Sequence, residues 1–492
     1  MMKTFLQFLL HPSTLLILFH GLVIVAFSLR VIMRRSATGV ALAWLFLISA
    51  IPLGGAFAYL LVGEKRVGRG RLARLEVLRK SYGKLTAELV DRELTEVDWS
   101  RHPFEARAMD RLGQHMVGLP TVCGSCGQLF SDTHEILRRI AEDVRQAKRS
   151  VMMEFYIWNQ GGLADEVLEA LIGAGQRGLD CRILIDGLGA AKWWKTQQPD
   201  QLRSAGVRVE KALPVGFIRM LVGRNDVRLH RKIVIIDGLV AWTGSMNLVD
   251  PRFFKQDANV GEWVDAMVRV EGAVVAPLAL TMIGDWTLET GEGMRDVARA
   301  AGIDQVVAMG EADAQIVPSG PGQTEDGLLQ MLLTLVHSAR EELVLTTPYF
   351  VPDDSLLRAI RGAAARGVQV SMIVPERVDS LLTRYASRSF YDELMDNGVR
   401  IFLYRKGLLH TKSITADRRI SMFGTVNLDM RSLWINYEVT AFVYGSRFAG
   451  DLRRLQQTYI DDSDEIDPIE WSKRSWGQRF LENTMRLTGP ML

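Results

Sequence analysis

The chain has 492 residues, with 59 Lys plus Arg against 57 Asp plus Glu and a net charge of +2 at pH 7. That length holds two or three domains, each able to bury its own core, while the near-neutral balance offers no field for a polyanion and argues against a dedicated nucleic-acid binder. Three cysteines are too few for a disulfide framework; Cys123-Gly-Ser-Cys126 has no second CxxC or His pair nearby and reads as a reduced loop.

The apolar residues gather at the start of the chain. Ser13 to Leu29 carries no Asp, Glu, Lys or Arg, and Thr38 to Val62 is a second uncharged run of 25 residues, more than the roughly 20 needed to cross a bilayer as a helix. We expect a transmembrane helical hairpin within residues 1–65, with Pro52, Gly54 and Gly55 tolerated where neighbouring groups satisfy the backbone. No small-x-small cleavage site precedes Arg34, so the segment is expected to be retained. Lys65, Arg66, Arg69, Arg71, Arg74, Arg79 and Lys80 follow the second run and Lys3 precedes the first, whereas the connection offers Arg34 and Arg35 with Arg30 near it. The rule that cations stay inside puts both termini in the cytoplasm, with a short external loop. Residues 66–120 then read as a basic juxtamembrane linker able to attract anionic headgroups.

The remainder repeats itself. Val151-Met-Met-Glu-Phe-Tyr156, a helical pattern over 163–175 and Arg177-Gly-Leu-Asp-Cys-Arg-Ile-Leu-Ile-Asp186 match Leu343-Val-Leu-Thr-Thr-Pro-Tyr349, a helical pattern over 355–365 and Arg366-Gly-Val-Gln-Val-Ser-Met-Ile-Val-Pro375. Each is strand, helix, strand, as in a βαβ unit with a buried sheet. Gly206-Val-Arg-Val and Gly398-Val-Arg-Ile add a further matching strand. The expected fold is α/β: two similar domains, 121–310 and 311–492, each a mixed sheet flanked by helices.

Each half then carries His-x-Lys followed by Asp: His230, Lys232 and Asp237, then His410, Lys412 and Asp417. Gly244, Ser245 and Asn247 recur in the same register as Gly424, Thr425 and Asn427, the Gly and the Asn lying 14 and 17 positions past the histidine in both halves. His and Lys two apart on a strand share a face. The Asp is an odd seven positions on, and Asp237-Gly238 reads as the turn of a hairpin, which gives the two Asp residues a structural or orienting role. Ser or Thr and Asn on the return strand are neutral donors suited to phosphate oxygens, making Ser245, Asn247, Thr425 and Asn427 expected phosphate-binding residues. Lys is not a usual metal ligand and no His-Glu or Cys cluster accompanies either histidine, so no metal is expected.

These two sets resemble the HKD motifs of the phospholipase D superfamily. Asp186-Gly-Leu-Gly189, Thr243-Gly-Ser-Met-Asn-Leu-Val-Asp-Pro251, Ser319-Gly-Pro321, Pro348-Tyr-Phe-Val-Pro-Asp353, the amino-terminal hairpin and the terminal Pro490-Met-Leu492 are similar to its bacterial cardiolipin synthase branch, A type. The resemblance implies catalysis by His230, Lys232, Asp237, His410, Lys412 and Asp417 without a cofactor. One histidine, by the family's habit His230, attacks phosphorus while the other protonates the leaving alcohol and then deprotonates the incoming one. The lysines stabilise the non-bridging oxygens. Donor and acceptor would both be phosphatidylglycerol, with membrane lipids as partners and neither nucleic acid nor an obligatory protein partner implied. Hydrolysis by water, an HKD nuclease and a non-enzymatic scaffold are the rivals; the anchor, the charge balance and two intact HKD sets disfavour them in that order.

A catalytic histidine needs a partner on its far ring nitrogen. Asp265 and Glu438 each stand seven positions before a Gly on matching strands, Asp265 to Gly272 and Glu438 to Gly445, with Glu262 a nearby competitor. The expectation is that Asp265 orients His230 and Glu438 orients His410, each within its own half.

Overall fold

In this computed structural model the described residues are 11–34, 38–63, 69–89, 92–214, 216, 226–324 and 326–489. Lys3, Arg35, Lys65, Arg66 and Pro490-Met-Leu492, used above, lie outside them. The chain forms two compact units, Met1–Gly68 with Val215–Asn225, and Arg69–Pro214 with Asp226–Leu492.

In the first unit Pro12–Met33 is one uninterrupted 22-residue helix, opened by Pro12 where a missing N–H costs nothing. The second apolar run departs from expectation. It breaks at Ile51, whose φ of −136° and ψ of 76° leave the helix, and gives Thr38–Ala50 and Pro52–Ala58 instead of one span. Pro52 is the cause, because its ring clashes with the carbonyl four residues back. Thirteen residues rise only about 20 Å, short of a hydrocarbon core of about 30 Å. Among the described residues, Pro12–Met33 alone is long and apolar enough to cross a bilayer. Val31, Ile48 and Tyr59 bury against one another within this unit.

In the second unit the expected repeat folds as two copies of one sheet. The first comprises β1 (Val122–Phe130), β2 (Ser150–Phe155), β3 (Asp180–Asp186), β4 (Arg208–Ala212), β5 (Ile233–Ile236), β6 (Val240–Gly244), the short β7 (Trp263–Val264) and β8 (Met267–Gly272). The second comprises β9 (Ala312–Ser319), β10 (Glu342–Thr346), β11 (Phe350–Val351), β12 (Gln369–Pro375), β13 (Arg400–Tyr404), β14 (Leu408–Leu409), β15 (Ser413–Ala416), β16 (Ile420–Gly424), β17 (Leu428–Asp429), β18 (Glu438–Tyr444) and β19 (Ser463–Glu465). The first half runs β1-β8-β6-β5-β2-β3-β4 and the second β9-β18-β16-β15-β10-β12-β13-β19, joined by an antiparallel β1–β9 pair. In each, the βαβ units supply three parallel strands, β2-β3-β4 and β10-β12-β13, and the His-x-Lys hairpin supplies the antiparallel ones. Helices Thr133–Gln146 and Leu163–Gln176 cover the first sheet, where Ile140, Val144 and Val167 meet Val151, Met153, Ile183 and Ile185. Helices Gly327–Ser338 and Asp354–Ala365 do the same over Leu343, Leu345, Val370 and Met372. Each such buried aliphatic side chain contributes about 1.5–3 kcal/mol.

The linker is more ordered than its composition suggests. Arg69–Leu89 is a 21-residue helix packed against the buried helix Val275–Thr290, and Arg71, counted above among the headgroup-attracting cations, is turned inward to Glu289 at 2.5 Å.

Candidate active site

The HKD hairpins β5–β6 and β15–β16 form as the turn signals required. At the turn Asp237 and Asp417 adopt left-handed backbone, with φ of 55° and 52°, which Asp tolerates better than most residues. Their carboxylates face away from the chemistry. Asp237 accepts from the backbone N–H groups of Lys148, Arg149 and Ser150 at 2.8 to 2.9 Å, and Asp417 from those of Arg340, Glu341 and Glu342 at 2.8 to 2.9 Å. Each Asp ties its hairpin to the head of the adjacent parallel strand, the structural role that its odd offset from the histidine suggested.

The histidines lie at the other end of those hairpins, just before β5 and β15, where the two halves meet. Each enters by pairing with the opposite half. His230 N–H donates to Tyr437 O at 2.9 Å, and Tyr437 N–H donates to Arg228 O at 2.8 Å; Leu408 N–H donates to Glu262 O at 2.9 Å and His410 N–H to Val264 O at 2.8 Å. This exchange puts the residues that follow, Glu438 and Asp265, beside the opposite half's histidine. His230 Nδ1 lies 2.8 Å from Glu438 Oε2 and His410 Nδ1 lies 2.7 Å from Asp265 Oδ1. The carboxylates are those expected and the pairing is the reverse. Strand equivalence placed each acid beside its own half's hairpin within the sheet, but the lead-in segments cross before the sheet begins. Glu262, the competitor, is exposed.

The hydroxyls also differ from expectation. Ser245 Oγ donates to Asp265 Oδ1 at 2.6 Å and accepts from Ala266 N at 3.0 Å; Thr425 Oγ1 donates to Glu438 Oε2 at 2.6 Å and accepts from Val439 N at 3.0 Å. Both are fully buried, so their hydrogen holds a carboxylate and none is left for phosphate. Two chains of the form hydroxyl, carboxylate, imidazole result, Ser245–Asp265–His410 and Thr425–Glu438–His230. Asn247 Oδ1 accepts from Ile157 N at 3.3 Å, which leaves its amide N–H groups to donate elsewhere.

Lys232 and Lys412 are wholly buried, and each ammonium donates to its own histidine's carbonyl, at 2.7 and 2.5 Å. Burial pulls Lys232 down to about 8 and Lys412 to about 7, against the upward pull of Glu438 and Asp265. Burial likewise lowers both histidines to about 4, so both rings are neutral at pH 7. The halves interact electrostatically: Lys412 bears on His230 and Lys232 on His410. Against the upward push of burial, the facing imidazole holds Glu438 and Asp265 below the ordinary carboxylate range.

The aromatic walls were not expected. Tyr156 meets the His230 ring edge-on at 5.1 Å, Trp263 lies 4.4 Å from the His410 ring and Tyr349 6.5 Å. Both tyrosines close the two stretches matched in the repeat, just past β2 and β10, a signal that was available. Tyr349 OH donates to Asp379 at 2.7 Å, and Asp379 pairs with Lys255 of the first half at 2.8 Å; having no counterpart in the other half, this pair is invisible to repeat comparison.

A duplicated α/β fold that brings two His-x-Lys strands to one centre, each imidazole backed by a buried carboxylate, defines a phospholipase D-type enzyme. The family model described as "Cardiolipin synthase, PLD-like domain" matches residues 140–267 and 332–458. The chain is 43% identical over 489 residues to cardiolipin synthase A of Erwinia tasmaniensis and 41% over 481 residues to that of Serratia proteamaculans, with 98% of both chains covered in each case. The crystal structure of phosphatidylserine synthase from Haemophilus influenzae Rd KW20 superposes with a TM-score of 0.60 at 16% identity, covering 78% of this chain and all of that one, a likeness of fold. The chain belongs to the cardiolipin synthase family.

Proposed function

We propose that the protein transfers a phosphatidyl group from one phosphatidylglycerol to another, giving cardiolipin and glycerol. The observation that carries the mechanism is the pair of imidazoles, each held at Nδ1 by a buried carboxylate. With Nδ1 donating, the lone pair stands on Nε2, which is what a nucleophile or a base requires. The bound phosphodiester anion raises the His410 pKa, so that His410 enters as an imidazolium with a proton on Nε2 as well as on Nδ1. His230 Nε2 attacks phosphorus, the bond to the headgroup oxygen breaks, and His410 delivers the Nε2 proton to the departing glycerol. The second phosphatidylglycerol then loses its hydroxyl proton to His410, its oxygen attacks phosphorus, and the P–N bond to His230 breaks. One phosphodiester replaces another, so no external energy source is needed. Lys232, Lys412 and the amide N–H groups of Asn247 face the non-bridging oxygens, whereas the Asn427 side chain hydrogen-bonds Asp429; a bound anion raises the pKa of every cation near it.

The membrane arrangement is part of the same reading. Pro12–Met33 crosses the bilayer, the broken second run completes a hairpin, and the catalytic unit lies on the cytoplasmic face, as the flanking cations require. A reporter fused after Leu492 is expected to be active in the cytoplasm and silent outside.

The test of function is purified protein in detergent with labelled phosphatidylglycerol, products resolved by lipid chromatography. Cardiolipin and glycerol in equal amounts are expected, and none from His230→Ala or His410→Ala. Phosphatidic acid as the sole product would instead establish hydrolysis.

A further inference from the structure

The two halves match closely at the catalytic strands, and where they differ the difference has one direction. The middle residue of His-x-Lys is Thr411 in the second half, whose hydroxyl meets Tyr459 at 3.0 Å and the Val264 carbonyl at 3.4 Å and reaches no further. In the first half it is Arg231, fully buried. Its guanidinium donates to Glu438 O at 2.8 Å and Ser319 O at 3.2 Å, and pairs with Asp285 of helix Val275–Thr290. The residue that hydrogen-bonds the histidine's backbone differs in the same way. His410 leans on Val264, with no polar tip, whereas His230 leans on Tyr437.

Tyr437 is a strut with both ends occupied. At its backbone end it holds His230 N–H and Arg228 O, and the next residue, Glu438, holds the His230 ring. At its phenol end the hydroxyl donates to Pro321 O at 3.1 Å and accepts from Arg71 Nε at 3.2 Å. The ring lies flush on Gly320, where a Cβ would collide with it, which accounts for the Ser319-Gly-Pro321 sequence. Arg71 belongs to helix Arg69–Leu89 and is fixed from its other side by Glu289 at 2.5 Å. Further contacts dock that helix: Arg74 donates to Leu288 O at 3.2 Å, Glu88 pairs with Arg295 at 2.7 Å, and the Tyr82 hydroxyl packs on Gly284, leaving no room for a Cβ.

We propose that helix Arg69–Leu89, which follows the apolar amino-terminal segment in the sequence, is a positioning element of the active site: Arg71 acts through Tyr437 to set His230 against Glu438, and among the described residues the His410 side has no such tie. Arg71 and Tyr437 touch no substrate. Their effect falls on kcat, because a misplaced nucleophile slows attack without weakening the lipid's hold. Turnover would thereby respond to whether that helix is docked. This rests on His230 and Glu438 acting as a pair in the reaction proposed above.

The test uses the full-length protein in phosphatidylglycerol vesicles with Arg71→Ala, Arg71→Lys, Tyr437→Phe and the control Lys84→Ala, at an exposed position of the same helix. Expected are a fall in kcat of about 10- to 100-fold for Arg71→Ala and Tyr437→Phe with KM little changed, no further fall in the double variant, and unaltered turnover for Lys84→Ala. Arg71→Lys keeps the Glu289 ion pair and hence the melting temperature, but loses the reach to Tyr437 and hence turnover. In histidine-labelled protein the His230 ring nitrogens shift and those of His410 do not. Wild-type kcat in Arg71→Ala, or equal disturbance of both histidines with a matching loss of stability in Arg71→Lys, overturns the proposal. Loss of all activity in His230→Ala alongside a normal Arg71→Ala would leave the phosphatidyl-transfer reading standing without it.

Discussion

Replacing Glu438 by Gln tests the crossed geometry directly. Glu438 Oε2 accepts from both His230 Nδ1 at 2.8 Å and Thr425 Oγ1 at 2.6 Å, in a site with no water-exposed surface on the carboxylate. A glutamine offers one acceptor oxygen and one NH2. Asn436 Nδ2 donates to the other oxygen, Oε1, at 3.4 Å, so the amide oxygen is favoured there and the NH2 takes the Oε2 place, facing Nδ1. The ring then takes the tautomer with its proton on Nε2, where no lone pair remains for phosphorus. Lys232, already held near 8, also loses one of the negative charges that raise it. An Asp to Asn change in a Ser-His-Asp triad, which acts by the same tautomer error, costs about 10⁴ in kcat. A loss of about 10³ to 10⁴ is therefore expected here, or roughly 4 to 5.5 kcal/mol at 1.36 kcal/mol per decade. The assay is turnover with labelled phosphatidylglycerol, alongside ring-nitrogen resonances of histidine-labelled protein assigned with His230→Ala and His410→Ala. With eight histidines in the chain, two assignments suffice. Glu438→Gln is expected to move the His230 nitrogens and Asp265→Asn those of His410. Movement of the opposite ring in each variant would restore the within-half pairing and refute the reasoning, as would near-normal turnover in both.

The hydroxyls separate two roles: if Ser245 and Thr425 hold carboxylates, Ser245→Ala and Thr425→Val lower kcat and leave KM alone, whereas phosphate donors would raise KM. Asp237→Ala and Asp417→Ala each strand three backbone N–H groups, costing about 2–4 kcal/mol in thermal or denaturant melts, with turnover per folded molecule retained. For pH, the lysines must be charged to stabilise the phosphoryl oxygens, and in the free enzyme they lose that charge as pH rises through about 7 to 8. The alkaline limb of kcat/KM is thus expected in that range, and that of kcat at higher pH, because the bound phosphodiester anion raises both lysines. Identical limbs in the two profiles would contradict this.

Most of the catalytic unit was legible because duplication makes each half a control for the other. The βαβ order, the hairpins and the identity of both carboxylates follow from positions that agree in the two copies. What failed lies where the copies touch. Strand matching is blind to whether a residue answers its own sheet or its neighbour's, so Asp265 and Glu438 were found and assigned to the wrong rings. The hydroxyls were misread for a related reason: a Ser or Thr beside a catalytic strand is an equally good donor to phosphate or to carboxylate, and only burial decides. At the amino terminus the 25-residue apolar run satisfied a length criterion that does not weigh one internal proline, and Ile51–Pro52 breaks it.

The crossing also explains why the two halves stay in one chain. A half by itself would carry a histidine without its carboxylate and a carboxylate, backed by its own serine or threonine, without a histidine to hold. That carboxylate would be a buried charge lacking its partner, a state that costs several kcal/mol. Docking of the halves relieves both defects at once, so the same contacts that bury the interface also put each imidazole into its working tautomer. Tyr437 and Val264, the residues just before Glu438 and Asp265, join the backbones at this crossing. Because one of them is a tyrosine reaching helix Arg69–Leu89 and the other a valine reaching nothing polar, the symmetry that assembles the site does not extend to its control.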